Sequence, residues 1–134
     1  MTISNFDDLL ATARQQPTAQ RLLLVFATTG LPENPTAEQR AGFEQGFGGA
    51  LAPAMCVDKT PDEITDFVTL KREAEQFEMP WRMVFASSLS GTAHQAPSSE
   101  ETEPALQQMV ESIKLGVFAN MVAFDVEGRA VVVE

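Results

Sequence analysis

Tyrosine is absent from this chain, and cysteine, histidine and tryptophan occur once each in 134 residues. A single cysteine excludes an intrachain disulfide and fits a reducing compartment. One histidine and one cysteine offer no zinc-ligand spacing, so neither a metal nor a cofactor is expected. A Cys/His catalytic pair would have to be built from Cys56 and His94 alone. Basic residues are scarce too. Nine Lys and Arg against nineteen Asp and Glu give a formal net charge of −10, which repels nucleic acid phosphates and anionic membrane surfaces. Nucleic acid is therefore not an expected partner. No apolar run approaches the ~18 residues of a membrane span, and residues 1–5 lack the basic start and apolar core of a signal peptide. The expectation is a cytoplasmic protein with no membrane partner.

What is present suits one folded domain over residues 1–134: 44% of residues are hydrophobic and 21% charged, with the apolar ones in short periodic runs. The central feature is Val25-Phe26-Ala27-Thr28-Thr29, which returns as Val84-Phe85-Ala86-Ser87-Ser88. Around these copies, Phe6-x-x-Leu9 matches Phe67-x-x-Leu70, Arg21 matches Arg82, and residues 49–58 match residues 116–125. The matches suggest an αβαβ internal repeat with halves 1–60 and 61–134.

Asn5 or Ser4 can cap a first helix carrying Phe6, Leu9, Leu10 and Ala13 and ending before Pro17. Residues 21–28 read as a strand covered on both faces. Thr36-Ala37-Glu38-Gln39 has the form of a capping box and predicts a short second helix ending near Gly46. Gly46-Phe47-Gly48-Gly49 lacks the Lys-Ser/Thr of a phosphate loop and reads as a turn. Residues 51–58 read as a short strand that Pro53 either pushes toward a sheet edge or limits to the residues after the proline. Thr60-Pro61-Asp62-Glu63 predicts a helix start, with Ile64, Phe67, Val68, Leu70, Ala74 and Phe77 aimed at a core. A second buried strand at 82–89, a Ser/Thr/Pro-rich loop, a helix with Leu106, Met109, Val110, Ile113 and Val117, and a C-terminal β-hairpin turning at Glu127-Gly128 complete the chain.

Helices alternating with strands imply crossovers. The expected fold is α/β: a mixed, mostly parallel sheet of about five strands with helices packed on it. Ligands of such sheets bind beyond the carboxyl ends of the strands. That rule gathers Thr28, Thr29, Asp58, Lys59, Ser87 and Ser88 as a cleft for a small polar ligand, although the same residues also serve as caps and turns.

Ser4-Asn5-Phe6-Asp7-Asp8-Leu9-Leu10, Ala13-Arg14-Gln15-Gln16-Pro17, Gly49-Ala50-Leu51-Ala52-Pro53 and Met55-Cys56-Val57-Asp58-Lys59 carry a further observation. Over most of its length the chain resembles a group of small proteobacterial proteins of uncharacterised activity, often labelled ribonucleotide reductase subunit alpha. The resemblance implies a bacterial cytosolic context. The label does not transfer, because reductase catalytic subunits are several times longer and use sets of cysteines and tyrosines.

Two functions follow as expectations. The first is a non-catalytic regulatory module that binds a protein or a small polar ligand, most simply as a homodimer paired through the edge at residues 131–133. The second is a small enzyme with Cys56 or Ser88 as nucleophile and Asp58 and Lys59 as electrostatic partners.

Overall fold

In the computed structural model, which describes residues 3–30, 50–77, 81–115, 117 and 121–131, the first helix is α1 (Phe6–Arg14). The Asn5 side chain accepts the Asp8 amide at 2.8 Å, and Asp7 and Asp8 occupy the first turn, where the helix dipole favours negative charge. β1 (Gln20–Gly30) follows, flanked by β2 (Ala50–Lys59) and β3 (Met83–Ser90). β4 (Val122–Asp125) and β5 (Ala130–Val131) complete a sheet of order β2-β1-β3-β4-β5. α2 (Phe67–Glu75) lies between β2 and β3 in the chain, and α3 (Ser99–Lys114) between β3 and β4.

All four strand pairings are antiparallel, which overturns the mostly parallel sheet expected from the alternation of elements. The difference lies in which strands become neighbours. Both β2 and β3 run antiparallel to β1, so they are parallel to each other with β1 between them. α3 then joins β3 to a β4 that lies beside it and runs the other way. Burial on both faces of β1 is real but needs no parallel partner. Leu22, Leu24 and Phe26 face α1 and α2, while Leu23, Val25 and Ala27 face α3.

The two Val-Phe-Ala stretches pair with one another, Val25 opposite Phe85 and Phe26 opposite Val84. Residues opposite each other in an antiparallel pair share a face. Each face of the sheet therefore receives one phenylalanine and one valine at this point. At the heart of the α1/α2 side, Phe6 is fully buried, with ring centroids 5.5 Å from Phe67 and 5.3 Å from Phe124.

The predicted helix start at Thr60 opens only one tight turn, Pro61–Glu63. Thr60 and Glu63 cap each other there, and the Thr60 amide and hydroxyl hold the Glu63 carboxyl below the usual carboxylate range. Ile64 is then extended and buried, and Arg14 donates to the carbonyls of Pro61 and Ile64 at 3.1 and 2.7 Å. Asp66 restarts the helix by accepting the Thr69 amide at 2.8 Å. The restart changes which residues reach the core. Phe67, Leu70 and Ala74 are buried, whereas Val68 is 61% and Phe77 65% exposed.

The terminal hairpin turns at Gly128, whose φ of 83° suits glycine. A Cβ there would also lie 2.8 Å from the Phe67 ring, so the turn fits under α2 only without a side chain. The helix expected from Thr36, the glycine turn at 46–49 and the dimer edge at Val132 and Val133 lie outside the described residues.

Candidate functional site

The antiparallel sheet divides the expected strand-end cleft. Thr28 and Thr29 pair with Ala52 and Leu51 at one end of β1. Asp58, Lys59, Ser87 and Ser88 pair with Leu23 and Leu22 near the other end, five residues or about 17 Å away. Those four are divided again by face. Asp58 and Ser87 flank Leu23 on the α3 side, while Lys59 and Ser88 flank Leu22 on the α1/α2 side. The structure therefore brings the six residues into no common cleft.

On the α3 side, Asp58 is occupied by a structural contact. Its Oδ1 lies 2.7 Å from the Arg21 guanidinium and accepts the Ser99 hydroxyl at 2.6 Å. Arg21 also donates from Nε to the Pro97 carbonyl. Both side chains are largely covered, at 15% and 17% exposed, so this group ties β1, β2 and the start of α3 together at the sheet end. Ser98 caps α3 by accepting the Glu101 amide, and buried Thr102 donates its hydroxyl to the Ser98 carbonyl. Each polar group here has a folding role.

Cys56 lies on the same face, exposed in a groove shared with Asp58, Ser99, Glu100, Glu103, Leu106 and Gln107. That lining contains carboxylates and a hydroxyl but no general base of the imidazole type. His94 is in a different cleft, with Arg14, Gln16 and Asp62 between the end of α1 and the loop after β3. Ser88, the other nucleophile considered, is on the opposite face from Cys56. Among the described residues no group of three His, Cys, Asp or Glu side chains is placed to hold a metal ion, and no helix is long and apolar enough to cross a membrane.

The α1/α2 side carries a different kind of concavity. Nine-residue helices are about 14 Å long, whereas β1 and β2, with eleven and ten residues, span about 34 to 37 Å. Two such helices cannot cover the full length of both strands. Among the described residues, the part these helices do not cover lies at the β2 side and borders a pocket of about 340 Å³. Its walls are Phe26 of β1, Met55 and Val57 of β2, Leu70 and Ala74 of α2, and Gln76 and Phe77 just beyond that helix. Trp81 braces Phe26 from the side, edge to face with ring centroids 5.0 Å apart. Lys59 and Glu73 line the same pocket and form an ion pair, Nζ to Oε2, at 3.2 Å. Of the residues of the expected cleft, Lys59 is the one that sits beside this apolar space.

Sequence reasoning missed this pocket because its walls read as core. The α2 stripe continues in phase through Phe67, Leu70, Ala74 and Phe77, but the helix stops at Glu75. Phe77 then falls beyond the covered part of the sheet and stays exposed. Lys59, placed one residue from Asp58 by spacing, reaches the opposite face by strand alternation.

Comparison with known proteins adds no constraint: no family model, no curated protein and no solved structure matches this chain.

Proposed function

We propose that this chain is a non-catalytic, small-ligand-binding regulatory module whose site is the apolar pocket between β2 and α2. The observation that carries the reading is a space of about 340 Å³, walled by six apolar side chains and bordered by the Lys59–Glu73 ion pair and Gln76. Small-molecule sites typically measure ~300–1,000 Å³ and combine apolar walls with a few placed polar groups. A space at the lower end of that range suits one small ligand and no large cofactor.

The enzyme reading has less support. Asp58 and Lys59, the electrostatic partners it needs, point to opposite faces and are engaged by Arg21 and Glu73. Either nucleophile therefore has only one of the two partners on its own face, Asp58 for Cys56 and Lys59 for Ser88.

A thermal-shift screen of small apolar and amphipathic compounds tests the proposal, run on the wild-type protein and on Val57→Phe, which partly fills the pocket. Binding of one ligand at a hundred times its Kd stabilises a protein by about 2.7 kcal/mol, a readily measured rise in Tm. A hit on wild type that disappears in Val57→Phe is the expected outcome. A hit retained by that variant but lost on Asp58→Ala would move the site to the other face.

A further inference from the structure

We infer that the pocket between β2 and α2 takes a free apolar α-amino acid, an inference that rests on the pocket being a ligand site. The argument is one of charge complementarity. At the border of the pocket, Lys59 and Glu73 present one positive and one negative group 3.2 Å apart, 25% and 45% exposed. A ligand with one anionic head would have to compete with Glu73 for Lys59, and a cationic head would have to compete with Lys59 for Glu73. Either exchange leaves one protein charge without its partner. An α-amino acid carries an ammonium and a carboxylate on the same carbon. Placed with its carboxylate on Lys59 and its ammonium on Glu73, it gives four charges of alternating sign, each next to two of opposite sign, and the internal pair need not break.

The rest of the pocket selects the side chain. Beneath the ion pair the walls are Phe26, Met55, Val57 and Leu70, which offer no hydrogen-bonding partner to a polar group beyond the weak thioether of Met55; the other polar group of the lining, the Gln76 amide, is exposed at the C-terminal end of α2. An unbranched thioether can also shift to fit a branched or an aromatic side chain. Net charge argues against one class of competitor, the anionic amphiphile. A chain with a formal charge of −10 repels anionic amphiphiles at long range and is indifferent to a zwitterion.

Isothermal titration calorimetry on the full chain tests this with leucine, methionine and phenylalanine, set against serine and aspartate. Leucinamide and N-acetylleucine each remove one ligand charge; octanoate and hexylamine supply one charged head on an apolar tail. The expected result is binding of the three apolar amino acids and a loss of about tenfold or more on removing either charge. Lys59→Gln should erase the preference for leucine over leucinamide, and Glu73→Gln the preference for leucine over N-acetylleucine. Unchanged preferences in variants that melt as wild type does would overturn the inference. Octanoate or hexylamine binding as tightly as leucine would also overturn it, while leaving the pocket as a binding site provided Val57→Phe abolishes that binding. No binding by any apolar compound at millimolar concentration would overturn both.

Discussion

The two halves of the chain share a sequence pattern and use it differently. In each, a nine-residue helix begins with phenylalanine after a side-chain cap, Asn5 before Phe6 and Asp66 before Phe67, and both helices lie on one side of the sheet. In each, Val-Phe-Ala forms the middle of a buried strand. Yet the first copy turns Phe26 toward α1 and α2, where it walls the pocket, and the second turns Phe85 toward α3. Antiparallel pairing that sets each valine opposite the other copy's phenylalanine forces this outcome. Identical residues in equivalent strands can thus have unlike tasks, one shared between core and pocket wall and one confined to the core.

The largest predicted effects test that contrast directly. Phe26→Ala and Phe85→Ala each remove a ring that is 1% exposed or less, and each should cost about 3 to 5 kcal/mol by urea denaturation. Their ligand profiles should separate. Phe26→Ala enlarges the pocket and should shift preference toward bulkier apolar ligands such as phenylalanine or tryptophan, read as a changed order of Kd. Phe85→Ala, across the sheet, should keep the wild-type order. The same shift in both variants would mean that the pocket is not the binding site.

The contrast also marks what the sequence could convey. Local chemistry was legible: a cap at Ser4 or Asn5, the continuous apolar run of β1 and the turn at Gly128 follow from short-range preferences, while of the two outcomes open to Pro53 the edge position holds and the truncation does not, since β2 begins at Ala50. Strand order was not. Whether β3 docks beside β2 or beside β1 depends on long-range packing, and no residue of α2 encodes it locally. The candidate cleft inherited that error, since the carboxyl-end rule presumes strands that run in one direction. Thr28 and Asp58 were grouped for that reason alone and are placed toward opposite ends of the sheet. The pocket was illegible on other grounds. Among the described residues it lies where α1 and α2 are shorter than β1 and β2, and its walls carry the same apolar pattern as the core.

A second pair sharpens the comparison at intermediate size. Arg21, within β1, and Arg82, just before β3, each precede a Val-Phe-Ala stretch. Arg21 is largely buried against Asp58 and the Pro97 carbonyl, while Arg82 is exposed. Arg21→Ala strips Asp58 of its cation and should cost about 2 kcal/mol, between the values for exposed and fully buried pairs. Arg82→Ala should stay within about 0.5 kcal/mol of wild type. Equal losses would indicate that the Arg21 contact contributes no more than a surface charge. Loss of ligand binding in a folded Arg21→Ala protein would favour the α3 face as the site.

The smallest effect separates the two helix caps. Asn5 is neutral, and Asn5→Ala should cost about 1 kcal/mol at any pH. Asp66 performs the same task with a charge, and the backbone amide and hydroxyl of Thr69 hold its carboxyl below the usual range. A lowered folded-state value means that the unfolded chain binds the proton first as pH falls. The stability Asp66 supplies is therefore complete above the ordinary carboxylate range and is lost below about pH 4, as pH drops through the folded value. Asp66→Asn keeps an accepting oxygen but removes the titration, so urea midpoints at pH 7 and pH 3.5 should lie closer together than in wild type. Asn5→Asp should move them further apart. If neither substitution alters the spacing, the two caps are equivalent at every pH, and the acid sensitivity of the fold comes from elsewhere, Glu63 and its bonds to Thr60 being the next group to test.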